Sequence, residues 1–211
     1  MNVNHCANRA LLILAILSNL TAVTAVTAKD SRTLLVEAEQ FAQRGGWTLD
    51  TQFIESMGSP YLLAHGLGQP VSDARTSIVL AQPGNYRIWV RTLDWSKRLN
   101  RAAGAGGFTL ALNGQALAGK LGEGPTHWTW CMAGERQLAA GPLDLALRDL
   151  SGFDGRVDAI LLSCDPAFQP SQTDTVAARS TWAVQGAPEK IAGDQNYDCL
   201  LYTSPSPRDR A

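Results

Sequence analysis

Two carboxylates lie two residues apart near the start of the patterned part of the chain. Glu37 and Glu39 belong to the run Leu34-Leu35-Val36-Glu37-Ala38-Glu39, which predicts a first β-strand. On a strand, residues two apart share a face at a spacing of about 6.5 Å, so these like charges repel. A hard cation such as Ca²⁺, which binds carboxylate oxygens, would relieve that repulsion. Pairing with arginines on a solvated strand face would also relieve it, and both interpretations stay open.

The same pair is a poor candidate for glycoside hydrolysis. The acid and the nucleophile of a retaining enzyme lie about 5 to 5.5 Å apart on either side of the scissile bond, an arrangement that neighbours on one strand do not provide. The sequence contains no Gly-x-Ser-x-Gly elbow, no Gly-x-x-x-x-Gly-Lys phosphate loop and no Cys/His spacing for zinc. We therefore assign no catalytic residue.

An aromatic ring beside a carboxylate is a candidate ligand contact. Trp95 follows a predicted strand, is next to Asp94, and precedes a polar loop at 96–107. A flat ring can stack on the C–H face of a sugar while a carboxylate accepts hydrogen bonds from its hydroxyl groups. Asp94 and Trp95 therefore predict a ligand-binding position at the rim of the domain.

Three further residues are weaker candidates for ligand binding. Trp128 and Trp130 are two apart on a predicted strand and are expected to share a face, although one such tryptophan usually belongs to the core. His65 lies in a predicted loop next to Gly66, where a histidine can contact a ligand. It could equally hold the loop by one hydrogen bond or face another domain.

Short strands must position these residues. Tyr86, Ile88 and Val90 alternate with polar or outward-facing neighbours, and Asn113-Gly114 is a strong hairpin signal. Further strands are predicted at 76–80, 108–112, 115–118, 128–132, 135–138, 143–147 and 157–163. Many short strands with little helical periodicity predict an all-β fold, an antiparallel β-sandwich of the jelly-roll kind.

The composition and the first residues indicate an exported protein. The net charge is -1, 18% of the residues are charged, and no basic run is present, so neither nucleic acid nor an anionic membrane surface is an expected partner. Arg9 followed by an apolar stretch at 10–20 predicts a signal peptide cleaved after Ala28, because the stretch is too short to span a bilayer. The location is therefore secreted or periplasmic. Two of the four cysteines, Cys131 and Cys164, lie in the chain that follows the signal peptide and precedes residue 199. They could form a disulfide or stay as thiols.

The chain divides into four parts. After the signal peptide at 1–28, the sandwich is expected at 29–166 and a linker rich in Gln, Ser, Thr and Ala at 167–198, with one short helix at 173–182. Residues 199–211 resemble a translated sequencing adapter and are expected to be non-native.

Four segments carry a resemblance to a known family. They are Val36-Glu-Ala-Glu-Gln-Phe-Ala-Gln-Arg-Gly-Gly-Trp47, Met57-Gly-Ser-Pro-Tyr-Leu-Leu-Ala-His-Gly-Leu-Gly68, Gly84-Asn-Tyr-Arg-Ile-Trp-Val-Arg-Thr92 and Leu147-Arg-Asp-Leu-Ser-Gly-Phe-Asp-Gly-Arg-Val-Asp-Ala159. The chain resembles the N-terminal sandwich of a family of secreted bacterial FAD-dependent oxidoreductases. The resemblance implies a flavin domain after the linker, with FAD bound there. The sandwich would then bind carbohydrate for the parent enzyme or pack on the flavin domain.

A second, more distant resemblance is to calcium-binding carbohydrate-binding modules. It rests on Glu37, Glu39, Gly84-Asn85-Tyr86, Asn113-Gly114 and Asp158. It implies that Asp158 joins the two glutamates around a structural Ca²⁺ and that carbohydrate is a partner. An accessory module of a polysaccharide-degrading enzyme is the third role that these resemblances imply.

Overall fold

A computed structural model describes residues 32–98, 105–171 and 183–184 of the 211-residue chain. The predicted signal peptide, the predicted helix at 173–182 and residues 199–211 lie outside the described residues. No helix in the described ranges is long and apolar enough to cross a membrane.

Eleven strands and two one-turn helices make up the described part of the chain. The strands are β1 (Thr33–Glu37), β2 (Trp47–Asp50), β3 (Tyr61–His65), β4 (Ala74–Leu80), β5 (Gly84–Thr92), β6 (Phe108–Leu112), β7 (Gln115–Ala116), β8 (Thr129–Leu138), β9 (Gly141–Asp149), β10 (Phe153–Ser163) and β11 (Ala183–Val184). The helices are α1 (Ile54–Met57) and α2 (Trp95–Arg98), and a 3-10 turn covers Ala38–Gln40.

The strands form two sheets that pack face to face. In the larger sheet the long strand β10 pairs with β1 and β3 as well as with β5, while β2 extends β3 and β8 extends β5. The smaller sheet has the order β4-β9-β6-β7. All of these pairs are antiparallel, and only β11 runs parallel to its neighbour β1. The predicted antiparallel β-sandwich is confirmed.

The core lies between the sheets because apolar side chains alternate along each strand. Leu143, Leu145 and Leu147 of β9 face Ile88 and Val90 of β5 within one buried cluster. Burying one such side chain stabilises the fold by about 1.5 to 3 kcal/mol, so this cluster dominates the stability of the domain. The rings of Trp47 and Phe108 meet edge to face at 5.7 Å and join the two sheets.

The structure corrects several predicted boundaries. The two strands predicted at 128–132 and 135–138 are one strand, β8, which continues through a bulge opposite Ile88 and Trp89. Strands β2 and β3 were not predicted. Cys131 and Cys164 are free thiols, which settles the choice that the sequence left open.

A second apolar cluster covers the outer face of the larger sheet. This outer-face cluster consists of Leu35, Trp89, Trp130, Ala159 and Leu161, with the ring of Phe168 packed against it. The sequence assigned residues 167–171 to the linker, but this segment packs on the sandwich through Phe168. Arg87 holds this segment by donating hydrogen bonds from Nη2 to the carbonyl oxygens of Asp165, Pro166 and Phe168 at 3.0, 2.8 and 2.5 Å.

Candidate functional site

Side chains from five separate segments meet beside the larger sheet. Together they form the aromatic–arginine cluster, which consists of Phe53, Tyr61, Trp95, Arg98, Trp128 and Arg156. Phe53 precedes α1, α2 supplies its first and last residues, and Trp128 directly precedes β8. β3 and β10, which pair with each other, contribute Tyr61 and Arg156. The cluster is therefore positioned by two central strands and three connecting segments.

Phe53 is the centre of the aromatic part. Its ring lies 5.9 Å from Tyr61, 5.6 Å from Trp95 and 5.9 Å from Trp128, measured between centroids. The rings of Tyr61 and Trp128 are 5.0 Å apart. Most of these contacts are edge to face, the geometry that the charge distribution of aromatic rings favours. Phe53, Trp95 and Trp128 are each half-buried, so part of each ring faces the surroundings.

Two guanidinium groups lie against these rings. The Cζ atom of Arg98 is 5.3 Å from the Phe53 ring centre and 5.5 Å from that of Trp95. The Cζ atom of Arg156 is 4.8 Å from the Trp95 ring centre. Arg98 is exposed, whereas Arg156 is buried. Cation–π attraction therefore holds one exposed and one buried positive charge at the same tryptophan.

Several buried polar atoms in and beside the cluster have no hydrogen-bond partner. They are Oη of Tyr61, Oγ of Ser96, Nε1 of Trp128 and Nε of Arg156. Burial raises the pKa of the Tyr61 phenol, and the nearby Arg156 guanidinium opposes that rise. Because unpaired buried polar groups are rare in proteins, a concentration of them points to a place where a polar ligand completes the bonding.

Asp94 supports the cluster from below its surface. It is fully buried, and its two carboxylate oxygens accept hydrogen bonds from the backbone amides of Lys97 at 2.9 Å and Gly124 at 3.0 Å. The first bond caps α2 and the second fixes the loop that leads to Trp128. The structure places Asp94 fully buried, where it positions α2 and the loop at Gly124 through these two bonds, and a direct contact with a ligand stays a prediction.

His65 lies next to the cluster. It is the last residue of β3, whereas the sequence predicted a loop at this position. Its Nδ1 atom is 3.3 Å from Oδ1 of Asp154, and Asp154 also pairs with Arg156 at 3.7 Å. The exposed imidazole is thus linked to the cluster through one carboxylate. The loop after it is held by Gly66 and Gly68, whose amides both donate to the carbonyl of Gly152.

Trp130 does not join Trp128. Trp130 is buried in the outer-face cluster against Trp89, while Trp128 precedes β8 and packs on Tyr61 and Phe53. The sequence predicted that the two tryptophans share a strand face and that one of them belongs to the core. Trp130 is the buried one, and Trp128 lies one residue before β8 begins at Thr129.

The three predicted calcium ligands do not form a ready cation site. Strand β1 ends at Glu37, and Glu39 lies in the 3-10 turn, so the two glutamates do not share a strand face. Asp158 lies at a bulge in β10 and pairs with Arg91, whose Nη1 atom is 2.7 Å from Oδ2. Within the described ranges, no three His, Cys, Asp or Glu side chains are grouped so that they could hold a metal. The calcium site stays a prediction.

Sequence reasoning missed four of the six residues of the aromatic–arginine cluster. Phe53, Tyr61, Arg98 and Arg156 belong to it but were not candidates. The one available signal was the alternation around Arg156, where a charged residue interrupts the apolar run of β10. No local signal connects Phe53 with residues that are 42 to 103 positions further along the chain.

Comparison with known proteins finds solved structures of similar fold but no matching family. No family model matches the chain, and no curated protein matches it. Among solved structures, the chain is similar to a GH26-CBM35 β-(1,4)-mannanase from Podospora anserina at 22% identity and a TM-score of 0.49, covering 66% of this chain and 29% of that one. The chain therefore spans less than a third of that enzyme's length.

Two isolated modules are also similar in fold. A family 35 carbohydrate-binding module from Clostridium thermocellum has 18% identity and a TM-score of 0.48, over 62% of this chain and 96% of that one. The CBM35 of Abf62 from Cellvibrio japonicus has 20% identity and a TM-score of 0.41, over 62% and 91%. These likenesses concern the fold of the sandwich.

Proposed function

We propose that the domain is a non-catalytic carbohydrate-binding module and that sugar binds at the aromatic–arginine cluster. The observation that carries the proposal is the meeting of the half-buried rings of Phe53, Trp95 and Trp128 with unpartnered polar atoms. A sugar has apolar C–H faces that pack on rings and a rim of hydroxyl groups that both donate and accept hydrogen bonds. The cluster offers both kinds of contact within one patch.

The position of the cluster supports the proposal. Its rings are anchored by the core strand β3 and by the Asp94 contacts beneath α2. Sites on rigid elements bind with a smaller entropic cost, because the contact groups are ordered before the ligand arrives. Arg98 is the exposed member and can move aside from Trp95 when a ligand approaches.

Calorimetric titration with a panel of soluble polysaccharides tests this function. We expect binding of at least one polysaccharide, and a loss of roughly 30-fold in affinity for Trp128→Ala, since tryptophans at an interface commonly contribute much of the binding energy. Met132→Ala is the matched control, because Met132 is 46% exposed on β8 and lies outside the cluster. Absence of any binding, or an equal loss in both variants, would contradict the proposal.

We further propose, on the sequence resemblance alone, that the parent protein is an exported FAD-dependent oxidoreductase. The resemblance implies a linker with a Pro-Glu pair, which Pro188-Glu189 fits, and a flavin domain whose first strand opens with a Tyr-Asp pair, which Tyr197-Asp198 fits. FAD would bind in that domain, and these positions lie outside the described residues. The alternative parent is a polysaccharide-degrading enzyme. Sequencing of the source DNA beyond the codon for Asp198 distinguishes them: a Gly-rich strand–turn–helix supports the flavin enzyme, and any other continuation contradicts it.

A second candidate role is docking on that flavin domain, and two exposed leucines favour it. Leu67 is 80% exposed in a left-handed backbone conformation with φ of 54°, and Leu150 is 49% exposed in the neighbouring loop. Exposing a large apolar side chain at such a position gains nothing for the isolated sandwich. Leu67→Asp in the intact parent should increase the radius of gyration in X-ray scattering, and an unchanged radius would count against this role.

A structural Ca²⁺ at Glu37, Glu39 and Asp158 remains a proposal that rests on the second resemblance. It requires Asp158 to exchange its bond with Arg91 for the cation. The test is the melting temperature in calcium and in chelator, compared between the native protein and Glu39→Gln. A fall in chelator that is absent from the variant supports the ion, and identical melting in both conditions contradicts it.

A further inference from the structure

We infer that the ligand of the aromatic–arginine cluster is an acidic glycan whose carboxylate or sulfate group binds at Arg98. This inference rests on the proposed carbohydrate-binding function and deepens it. Its starting point is the pairing of the arginine side chains in the domain.

Arg98 differs from every other arginine in the described ranges. The other eight each have a carboxylate or carbonyl oxygen as a partner for the guanidinium group. Arg98 contacts only the rings of Phe53 and Trp95 with its guanidinium group. It therefore carries five N–H donors and a full positive charge that no oxygen of the described residues satisfies.

Acidic side chains near the cluster bond to groups other than Arg98. Asp94 lies one turn before Arg98, and its carboxylate oxygens accept hydrogen bonds from the backbone amides of Lys97 and Gly124. Asp154 pairs with Arg156 and His65. Within the described ranges, no salt bridge therefore occupies the Arg98 guanidinium group.

Two further groups in the cluster can only donate hydrogen bonds. Nε1 of Trp128 and Nε of Arg156 have no acceptor, and neither atom can itself accept. A neutral hydroxyl group would accept a hydrogen bond from only one such donor at a time. A carboxylate or sulfate group offers only acceptors and can receive two bonds from one guanidinium group, so it complements these donors and Arg98 well. The unpaired hydroxyl groups of Tyr61 and Ser96 both donate and accept, and they can bond to hydroxyl groups of the same sugar.

The charge of the whole chain makes this preference specific to the cluster. The net charge is -1, so the domain as a whole does not attract polyanions. Binding of an acidic polymer is therefore expected to arise from a local site, which we assign to Arg98.

Titration with matched polymers tests the inference. The probes are polygalacturonate and its carboxyl-reduced neutral form, and a sulfated galactan and the same polymer after desulfation. We expect at least one acidic polymer to bind on the order of 10-fold more tightly than its neutral counterpart, and Arg98→Ala to remove that difference. Arg98→Lys should keep part of it, because the charge stays while the paired donors are lost.

Arg75→Ala is the control for a lost positive charge elsewhere. Arg75 is exposed on the smaller sheet, and its partner Asp73 keeps a second contact with Arg148. If the acidic polymer binds more tightly than its neutral form in only one of the two pairs, that pair identifies the ligand group as carboxylate or sulfate. Equal binding of acidic and neutral polymers would overturn the inference and leave the carbohydrate-binding function intact, whereas no binding of any polymer would overturn both.

Discussion

The Trp128 ring lies 5.0 Å from the Tyr61 ring, at an interplanar angle of 63°. Tyr61 begins β3, and Trp128 directly precedes β8; these two strands of the larger sheet do not pair with each other. The contact therefore ties a connecting segment to a central strand. This contact brings aromatic residues from distant parts of the sequence together on one surface, and the proposed ligand site depends on it.

Arg87 is predicted to fix the chain after β10 to the sandwich. Its three hydrogen bonds to the carbonyls of 165, 166 and 168 are charge-assisted. We expect Arg87→Ala to lower the free energy of unfolding by about 1.5 to 3 kcal/mol and to speed proteolysis within 165–171. Urea unfolding and timed digestion measure both effects. Digestion at the native rate would show that the segment is held by Phe168 alone.

Arg91 and Asp158 are predicted to be a coupled pair. Their side chains are 12% and 0% exposed, so removal of one partner leaves a buried charge. Arg91→Met and Asp158→Leu should each cost about 3 to 5 kcal/mol of stability. The double variant should cost clearly less than the sum, because it leaves no unpaired charge. Additive losses in the double-mutant cycle would refute the coupling.

Stability is predicted to fall in alkaline solution because of Cys131. Burial raises the pKa of its thiol, and it also raises the pKa of the Tyr86 phenol. Above pH about 8.5 the unfolded chain loses the thiol proton while the folded domain keeps it, so the free energy of unfolding decreases as pH rises. Urea titrations from pH about 8 to about 10 should show this slope, and Cys131→Ala should flatten it. A slope that is the same in the variant would assign the effect to other groups.

Gly152 is predicted to be irreplaceable in the loop next to His65. Its φ is 70°, and a Cβ atom there would lie 2.0 Å from the carbonyl oxygen of Gln69. Gly114 has a similar φ of 79° with open space around it, so Gly114→Ala carries only the left-handed strain of about 1 to 2 kcal/mol. Gly152→Ala should cost more than this, by the clash. Equal melting temperatures of the two variants would contradict the packing of the loop.

Local patterns predicted the elements well where packing follows simple alternation. Tyr86, Ile88 and Val90 lie on the buried face of β5, as their spacing indicated. Asn113 and Gly114 have φ values of 47° and 79°, which fit a two-residue hairpin. These features depend only on neighbours in the sequence, so a single chain suffices to predict them.

The site could not be predicted in the same way because it depends on distant contacts. Phe53 and Trp128 are 75 positions apart and meet only when the sandwich has closed. Asp158 lies at a bulge, and a bulge shifts the face on which every following side chain lies. The bulge lies between Val157 and Ala159 in the pairing with β5, and alternation along the sequence gives no sign of it.

The indole N–H signals of the six tryptophans, followed by NMR during titration with a bound polysaccharide, test the central claim most directly. The signals are assigned by single replacement of each tryptophan with phenylalanine. We predict a saturable downfield shift for Trp128, whose Nε1 gains an acceptor. We predict little change for Trp47, which is buried in the core between the sheets, and for Trp130, which is buried in the outer-face cluster. Binding that leaves Trp128 unshifted while the signal of Trp47 or Trp130 moves would contradict the account.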